Sequence, residues 1–532
     1  MKELEEILQR AANGPISPDD LKKLRAAMET LGWLQAEISR KNASLGRLRK
    51  LLFGTPSTEK TSQVLGESAK SAQEEGEPKY DEPPESVSRN ASRPPAKGHG
   101  RNGADAYAGA KRVSVPHEML KPGDPCPEKG CEGKLYRLPK PRVLVCVKGH
   151  MPLQATVYER EALRCALCGK VFVAGLPDGI HNCKKYDPTA TAMVGLLKYG
   201  TGMPFNRLDH LQKNLGVPLP AATQWEVVRD GAKDLMSVYE ELVRQAAQGE
   251  VLQNDDTPMK ILAHLAENEE RKKEGERTGT FTTGIVAQVD KHRIALFFTG
   301  RDHAGENLTH VLSEREKQRP PPIQMCDGLS RNLPDKEFET ILANCLAHGR
   351  RNFVDVVASF PREVKVVLEA LKDVYRHDAV ARKAKMSPEE RLRYHQEHSG
   401  PIMEGLRKWM GDEIGQKKVE PNSGLGDAIL YMQKRWKPLT LFLREPNAPL
   451  DSNAVERALK KAILHRKNAL FFKTENGADV GDVFMALIYT AELSGISPFD
   501  YLTELLRHPR EVARDADAWL PWNYRQTLKW TA

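Results

Sequence analysis

Two aspartates, Asp255 and Asp327, end short apolar runs, VLQNDD and IQMCD, whose composition reads as β-strand. If those strands lay side by side, the two carboxylates would converge. Converging carboxylates repel in water, so such a pair at strand ends points to a divalent cation held between them. Asp256 follows Asp255 directly, but successive strand residues point to opposite faces, so only one of the two can face the ion. The expectation falls on Asp255.

The elements around these residues supply the adjacency. VLQNDD is followed by two strand-like runs, TTGIVAQVD and RIALFFTG, joined at Asp290-Lys291-His292, then by a helical stretch over 304–317 and the short strand IQMCD. Three strands, a helix and a fourth strand make a ribonuclease-H-like order, in which the first and fourth strands are neighbours. A third carboxylate is then expected from a later helix, and LDSNAVERALKKAILHRKNALFF offers Glu456, with Asp451 placed to cap the helix and Glu456 in its second turn. Taken alone, that segment reads first as a solvated helix with a routine Glu–Arg pair.

A chain of 532 residues has room for several domains, and Lys plus Arg exceed Asp plus Glu by 80 to 72, a net charge of +8 that suits a polyanionic partner. Leu24, Leu31, Ile38, Leu45 and Leu52 recur every seven residues, a coiled-coil pattern that also fits an amphipathic helix packed on its own chain. Residues 55–112 are rich in Ser, Pro, Gly and charge and poor in large apolar residues, so they read as a disordered linker. Cys126-x4-Cys131 and Cys165-x2-Cys168 then supply four thiolates for a structural zinc, as in a zinc ribbon. Segments 205–215 and 221–235 flank a Gly-Val-Pro-Leu-Pro break, which suits either a helix-turn-helix or a plain helical hairpin. The opening MKELEEILQR lacks the apolar core of a signal peptide, and no apolar run is long enough to span a bilayer. The expectation is a cytoplasmic, nucleoid-associated protein with no membrane contact.

Along nearly its whole length the chain resembles the insertion-sequence-66 family of bacterial transposases. The resemblance is carried by LFGTPSTEK, GHGRN, CPEKGCEGKLY, RCALCGKVFVAGLP and LLKYGTGMPFNRLDHLQKNLGVPLPAATQW in the first half. In the second half it is carried by DDTPMKIL, FTTGIVA, LFFTGRDHAGEN, MCDGLSRNLP, CLAHGRRNF, LDSNAVERALKKAILHRKNALFFKT and SGISPFDYLTELL. It implies that Asp255, Asp327 and Glu456 are the metal ligands of a DDE-type enzyme. The three would hold two Mg2+ (or Mn2+) ions roughly 4 Å apart, one activating water or a 3′-hydroxyl and the other stabilising the leaving oxygen of a phosphodiester. Cys345-x2-His348 resembles a short motif that several transposase families carry after the second Asp. At helical spacing the two could brace the site, with His348 in a catalytic role and Arg350 or Arg351 on DNA; a buried thiol and a core imidazole are equally good readings. Ser452 departs from the family, which usually has Asn there, and this should touch local capping only.

The resemblance implies an enzyme that binds double-stranded transposon ends and target DNA, cleaves and transfers strands, and works as a homo-oligomer, with companion proteins of the same element as further partners. Arg457, Lys460, Lys461, Arg466 and Lys467 would add phosphate contacts. The alternative is an inactive DNA-binding protein, an end-recognition factor or repressor. The expected fold class is multidomain α+β. A helical or coiled-coil segment (1–54) and linker (55–112) precede a zinc-ribbon-like module (113–184) and a helix-turn-helix-like module (185–248). The ribonuclease-H-like core follows in two parts (249–360 and 447–495) around a helical insertion (361–446), before a C-terminal tail (496–532).

Overall fold

The computed structural model describes residues 17–21, 114, 119–127, 131–136, 138, 152–164, 171–175 and 185–531. The chain divides into two compact units, Glu77–Pro152 and the remainder. In the smaller unit Pro125 and Lys134 bridge antiparallel, and the Cys126 N–H donates to the Gly133 carbonyl at 2.8 Å. The heptad leucines and the charged linker lie outside the described residues.

The larger unit includes two short antiparallel strands, β1 (Ala162–Arg164) and β2 (Val171–Val173). Three helices follow: α1 (Pro188–Gly195), capped by Asp187, which accepts the Ala190 N–H at 2.9 Å, then α2 (Phe205–Asn214) and α3 (Ala221–Ala247). The sequence expectation ended the last of these near residue 235. Apolar spacing continues past that point, and Val238, Leu242 and Ala246 are as buried as Val228 and Leu235, so α3 runs for 27 residues. A helix buried along such a length has a large structural role in the core.

A mixed five-stranded sheet is the centre of the unit. Its strands are β3 (Val251–Pro258), β4 (Phe281–Val289), β5 (His292–Gly300), β6 (Ile323–Cys326) and β7 (Ile341–Asn344), in the spatial order β5-β4-β3-β6-β7. β3, β4 and β5 are antiparallel, whereas β6 and β7 run parallel to β3. The middles of β4 and β5 are buried at successive positions because helices cover both faces of the sheet, and the four-residue β6 is buried at every position, as a central parallel strand requires. Helix α4 (Leu262–Lys273) intervenes between β3 and β4, and α5 (Ala304–Ser313) crosses from β5 to β6. Neither α4 nor the edge strand β7 was expected from the sequence, because ILAN is too short for a periodicity to register.

After β7 come α6 (Leu346–Val354), α7 (Pro361–Lys383), α8 (Pro388–His398), α9 (Gly400–Gly415), α10 (Gly424–Lys434) and α11 (Trp436–Leu439). They gather around Phe353, Leu368, Leu371 and Met432 in a core that also takes in Met325 and Ala343 from the parallel edge of the sheet. Asp378 ties α7 to α8 by accepting from Arg391 at 2.8 Å. The chain then returns as α12 (Asn453–Ala469), α13 (Glu475–Leu493), α14 (Pro498–Arg507), α15 (Pro509–Arg514) and α16 (Tyr524–Thr531). These pack with α1, α3 and α5 on the antiparallel strands around Ile285, Phe297, Val455, Phe484 and Leu502. The architecture is α+β. Among the described residues, no helix is long and apolar enough to cross a membrane.

Candidate active site

β3 and β6 pair in parallel with Gln253 opposite Met325. Asp327 is the residue after β6, and the same register continued by two residues would bring it level with Asp255, neighbouring strands lying about 4.8 Å apart. Across the sheet on the other side Asp255 pairs with Gly284 of β4. Gly284 is the point of closest approach of α12: a methyl group there would lie 3.0 Å from Leu459 and 3.2 Å from Val455. Glycine inside a strand permits this contact, and it brings the first turn of α12, with Glu456, over the face that carries Asp255.

The three carboxylates feel one another. Burial, then the Asp327 charge, and more weakly Asp256 and Glu456 push the Asp255 carboxyl up to about 7, while the Asp256 backbone N–H it accepts at 2.8 Å acts against the shift. Asp327 is oriented by the Leu329 N–H at 3.0 Å and the Asn332 side-chain amide at 2.5 Å, both on its Oδ1. Asn332 is itself fixed, because its carbonyl accepts from the buried amides of Asn254 and Gln324, each at 2.7 Å. Glu456 Oε1 is buried and accepts no hydrogen bond among the described residues; it lies 3.9 Å from His348 Nδ1 and 4.0 Å from Arg351. A cluster of carboxylates, one of them with its carboxyl raised by burial and by its acidic neighbours and another with an unsatisfied buried oxygen, has the donor set that a hard divalent cation takes.

Asp256 points the other way. Its side chain is 1% exposed and bonds His303 Nδ1 at 2.9 Å and Arg331 at 3.2 Å. His303 also packs against Phe281, with the ring centroids 4.3 Å apart and the planes tilted by 42°, and lies at the N-terminus of α5. Asp256 therefore belongs to the α5 side of the sheet, and Asp255 to the α12 side. His303, Arg331, Asn332 and Gly284 were not singled out from the sequence; only the glycine, isolated inside a strand pattern, carried a signal that could have drawn attention to it.

Cys345 precedes α6 and His348 lies in its first turn, and their donor atoms and that of Glu456 all fall within 4.8 Å of one another. Burial pushes the Cys345 thiol up to about 11, so it stays neutral and acts as a packing group, with the Ser452 N–H donating to its sulfur at 3.3 Å. That contact pins the start of α12 to the end of β7. Burial, with Arg351 next, also lowers the His348 pKa and favours neutral imidazole. Helix α12 begins at Asn453, not at Asp451, so Glu456 lies in its first turn and not its second. The N-cap is Ser452, which makes no side-chain cap bond, and Asp451, one residue earlier, accepts the Asn453 N–H at 3.2 Å.

The basic residues divide into two groups. Arg457, Lys460 and Lys467 are exposed on α12, and Arg350 and Arg351 are half-buried on α6. Lys461 is instead paired with Glu492 at 2.8 Å, and Arg466 bonds Thr257 at 3.1 Å and the Pro258 carbonyl, so both serve contacts within the chain. Cys126 and Cys131 are both free thiols, and the Gly133 backbone, with a bond from Cys126 next, holds the Cys131 pKa below its usual value. Cys165 and Cys168 fall between β1 and β2, outside the described residues.

Residues 184–480, more than half of the chain, match the model of the Transposase IS66 family. The chain belongs to that family. Its relatives include three uncharacterized proteins of Sinorhizobium fredii. It is 27% identical to y4hP over 69% of this chain and 67% of that protein, and 25% identical to y4qI over 63% and 62%. With y4jD it shares 34% identity, over 35% of this chain and about a third (36%) of that protein's length.

Proposed function

We propose that this protein is a DDE transposase that binds the ends of its element and catalyses metal-dependent cleavage and strand transfer of double-stranded DNA. What supports the reading is that Asp327 follows directly on β6, the parallel neighbour of the strand that carries Asp255, with Glu456 near the same face through the Gly284 contact. The strand order, with the first and fourth strands paired, supports a ribonuclease-H-like core interrupted by the helical segment 361–446.

In this reading Asp255, Asp327 and Glu456 hold two Mg2+ or Mn2+ ions. When bound, such ions lower the pKa of an attacking water or 3′-hydroxyl and offset charge on the leaving oxygen. Asn332 keeps Asp327 from rotating. The cations Arg351, Arg457, Lys460 and Lys467 attract the phosphate backbone, with Arg350 beside them on α6. His348, neutral and beside Glu456, is a positioning group for that carboxylate. Ahead of the core, Cys126, Cys131, Cys165 and Cys168 bind a structural zinc, and the heptad at 24–52 pairs two chains.

Asp255→Asn, Asp327→Asn and Glu456→Gln conserve volume but remove charge. Each should lower cleavage and strand transfer by at least about a thousandfold while leaving DNA affinity within about twofold. An active Glu456→Gln protein would exclude the assigned triad.

A further inference from the structure

The end of α12 is built in an unusual way. Leu470 has φ 71 and ψ −40, and the Phe471 N–H donates to the Ala469 carbonyl at 2.9 Å. A bond from residue i+2 back to residue i around a positive φ is a γ-turn of the rare, strained kind, and a branched side chain at its centre makes it costlier still. A helix end of this sort normally takes glycine. The turn hides neither of its apolar residues, since Leu470 is 60% and Phe471 40% exposed.

The exposure comes from a rigid setting. The next residue, Phe472, is buried, stacks on His465 at 4.2 Å, donates its N–H to the Lys260 carbonyl at 2.8 Å and accepts from the Leu262 N–H at 2.9 Å. The chain is thus anchored immediately behind the apolar pair. Leu262 and Leu265 of α4, the helix anchored to Phe472, are exposed as well, and the basic residues Lys467, Lys473 and Lys260 flank the turn with exposed side chains. Apolar side chains held out rigidly among ammonium groups match a partner that offers flat apolar faces and a polyanionic frame. Nucleic-acid bases on their phosphate backbone have that chemistry.

We propose that Leu470 and Phe471 form a wedge that packs against unstacked bases of the DNA held by this protein. The proposal rests on the transposase reading and deepens it. From Glu456 to Leu470 the helix climbs about 20 Å at about 1.5 Å per residue, a span of about six base-pair steps along a duplex. The wedge would therefore act a short distance from the reacting phosphate, holding the duplex open or bent so that its end enters the carboxylate site. The strain in the turn is consistent with selection for presenting these side chains.

The test compares binding of the full-length chain, in buffer without added Mg2+ or Mn2+ to prevent cleavage, to a labelled paired duplex and to the same duplex with a short central bulge of unpaired bases. The wild-type chain should prefer the bulged duplex by about tenfold. The double variant Leu470→Gly with Phe471→Ala should lose that preference while binding the paired duplex within about twofold of wild type. Because glycine accepts the positive φ, its melting temperature should be unchanged or raised, an outcome that damaged folding would not give. A variant that keeps the preference, or a wild-type chain with none, overturns the wedge alone. Failure of the wild-type chain to bind either duplex overturns the wedge and the transposase reading together. A variant that keeps the preference but loses oligomer mass without DNA assigns the turn to contact with a second copy, and overturns the proposal.

Discussion

Gly284 faces Asp255 across β3 and β4, and the space above its missing side chain is occupied by Leu459 of the helix that carries Glu456. One hydrogen in place of a methyl group thus sets the distance between two of the three carboxylates. Gly284→Ala should push α12 outward by a few tenths of an ångström, cost about 1–3 kcal/mol of stability, and slow cleavage by roughly tenfold or more, since small misplacements at a reacting centre are expensive. DNA affinity should not change. Gly300→Ala is the control, because a methyl group there meets nothing; equal rates for the two variants would show that the helix-to-sheet contact does not position Glu456.

Asp255 and Asp256 are adjacent but should respond differently to the same change. Asp256→Asn weakens the bonds to His303 and Arg331 and should lower stability by about 1–3 kcal/mol, with cleavage well above that of Asp255→Asn. Thermal melts and single-turnover cleavage on both variants check this. An Asp256→Asn protein that folds normally and is as inactive as Asp255→Asn would place Asp256 in the chemistry.

Asp482 gives a pH dependence of stability. It is buried under β5, where its carboxylate oxygens meet the Thr299 N–H at 2.6 Å and the Thr299 hydroxyl at 2.7 Å. Burial pushes its carboxyl up to about 8. In the unfolded chain the same group loses its proton near 4, so folding takes up a proton between those values and stability falls as pH rises through that window. Asp482→Asn, whose amide can donate to the Thr299 hydroxyl while its oxygen accepts the N–H, should flatten the fall between pH 5 and pH 8 in denaturant titrations. An unchanged slope would assign the pH dependence to other groups.

Freshly purified, reduced protein should carry about one zinc per chain. Cys168→Ser should lower that content and weaken binding to the element's ends, with the melting of the sheet-containing core little altered. Metal analysis that finds no zinc in the wild-type chain removes the zinc-ribbon reading.

We propose that the heptad at 24–52 is a seam between two chains. Deleting residues 1–54 should lower the oligomer mass measured by sedimentation and abolish complexes that hold two DNA ends. If both are unchanged, the leucines serve packing within one chain.

Much of the sheet was legible in the sequence, because strand alternation is a local property. VLQNDD and RIALFFTG fall on strands, as do TTGIVAQVD and IQMCD up to their last residues, Asp290 and Asp327, and the step from Asp255 to Asp256 already separates two faces. The family motifs likewise marked Glu456 in a segment whose own pattern read as a solvated helix. What sequence could not supply was everything that depends on which elements touch. That Gly284 admits α12, that Cys345 pins its first turn, and that Asn254, Gln324 and Asn332 close a buried network beneath Asp327 follow from contacts between residues far apart in the chain. The same holds for the basic residues: charge alone grouped Lys461 and Arg466 with Lys467, but Glu492 and the Pro258 carbonyl, brought near by folding, occupy the first two and leave Lys467 exposed. Local periodicity determines where a side chain points relative to its own strand or helix; only the packing of one element on another determines what it meets there.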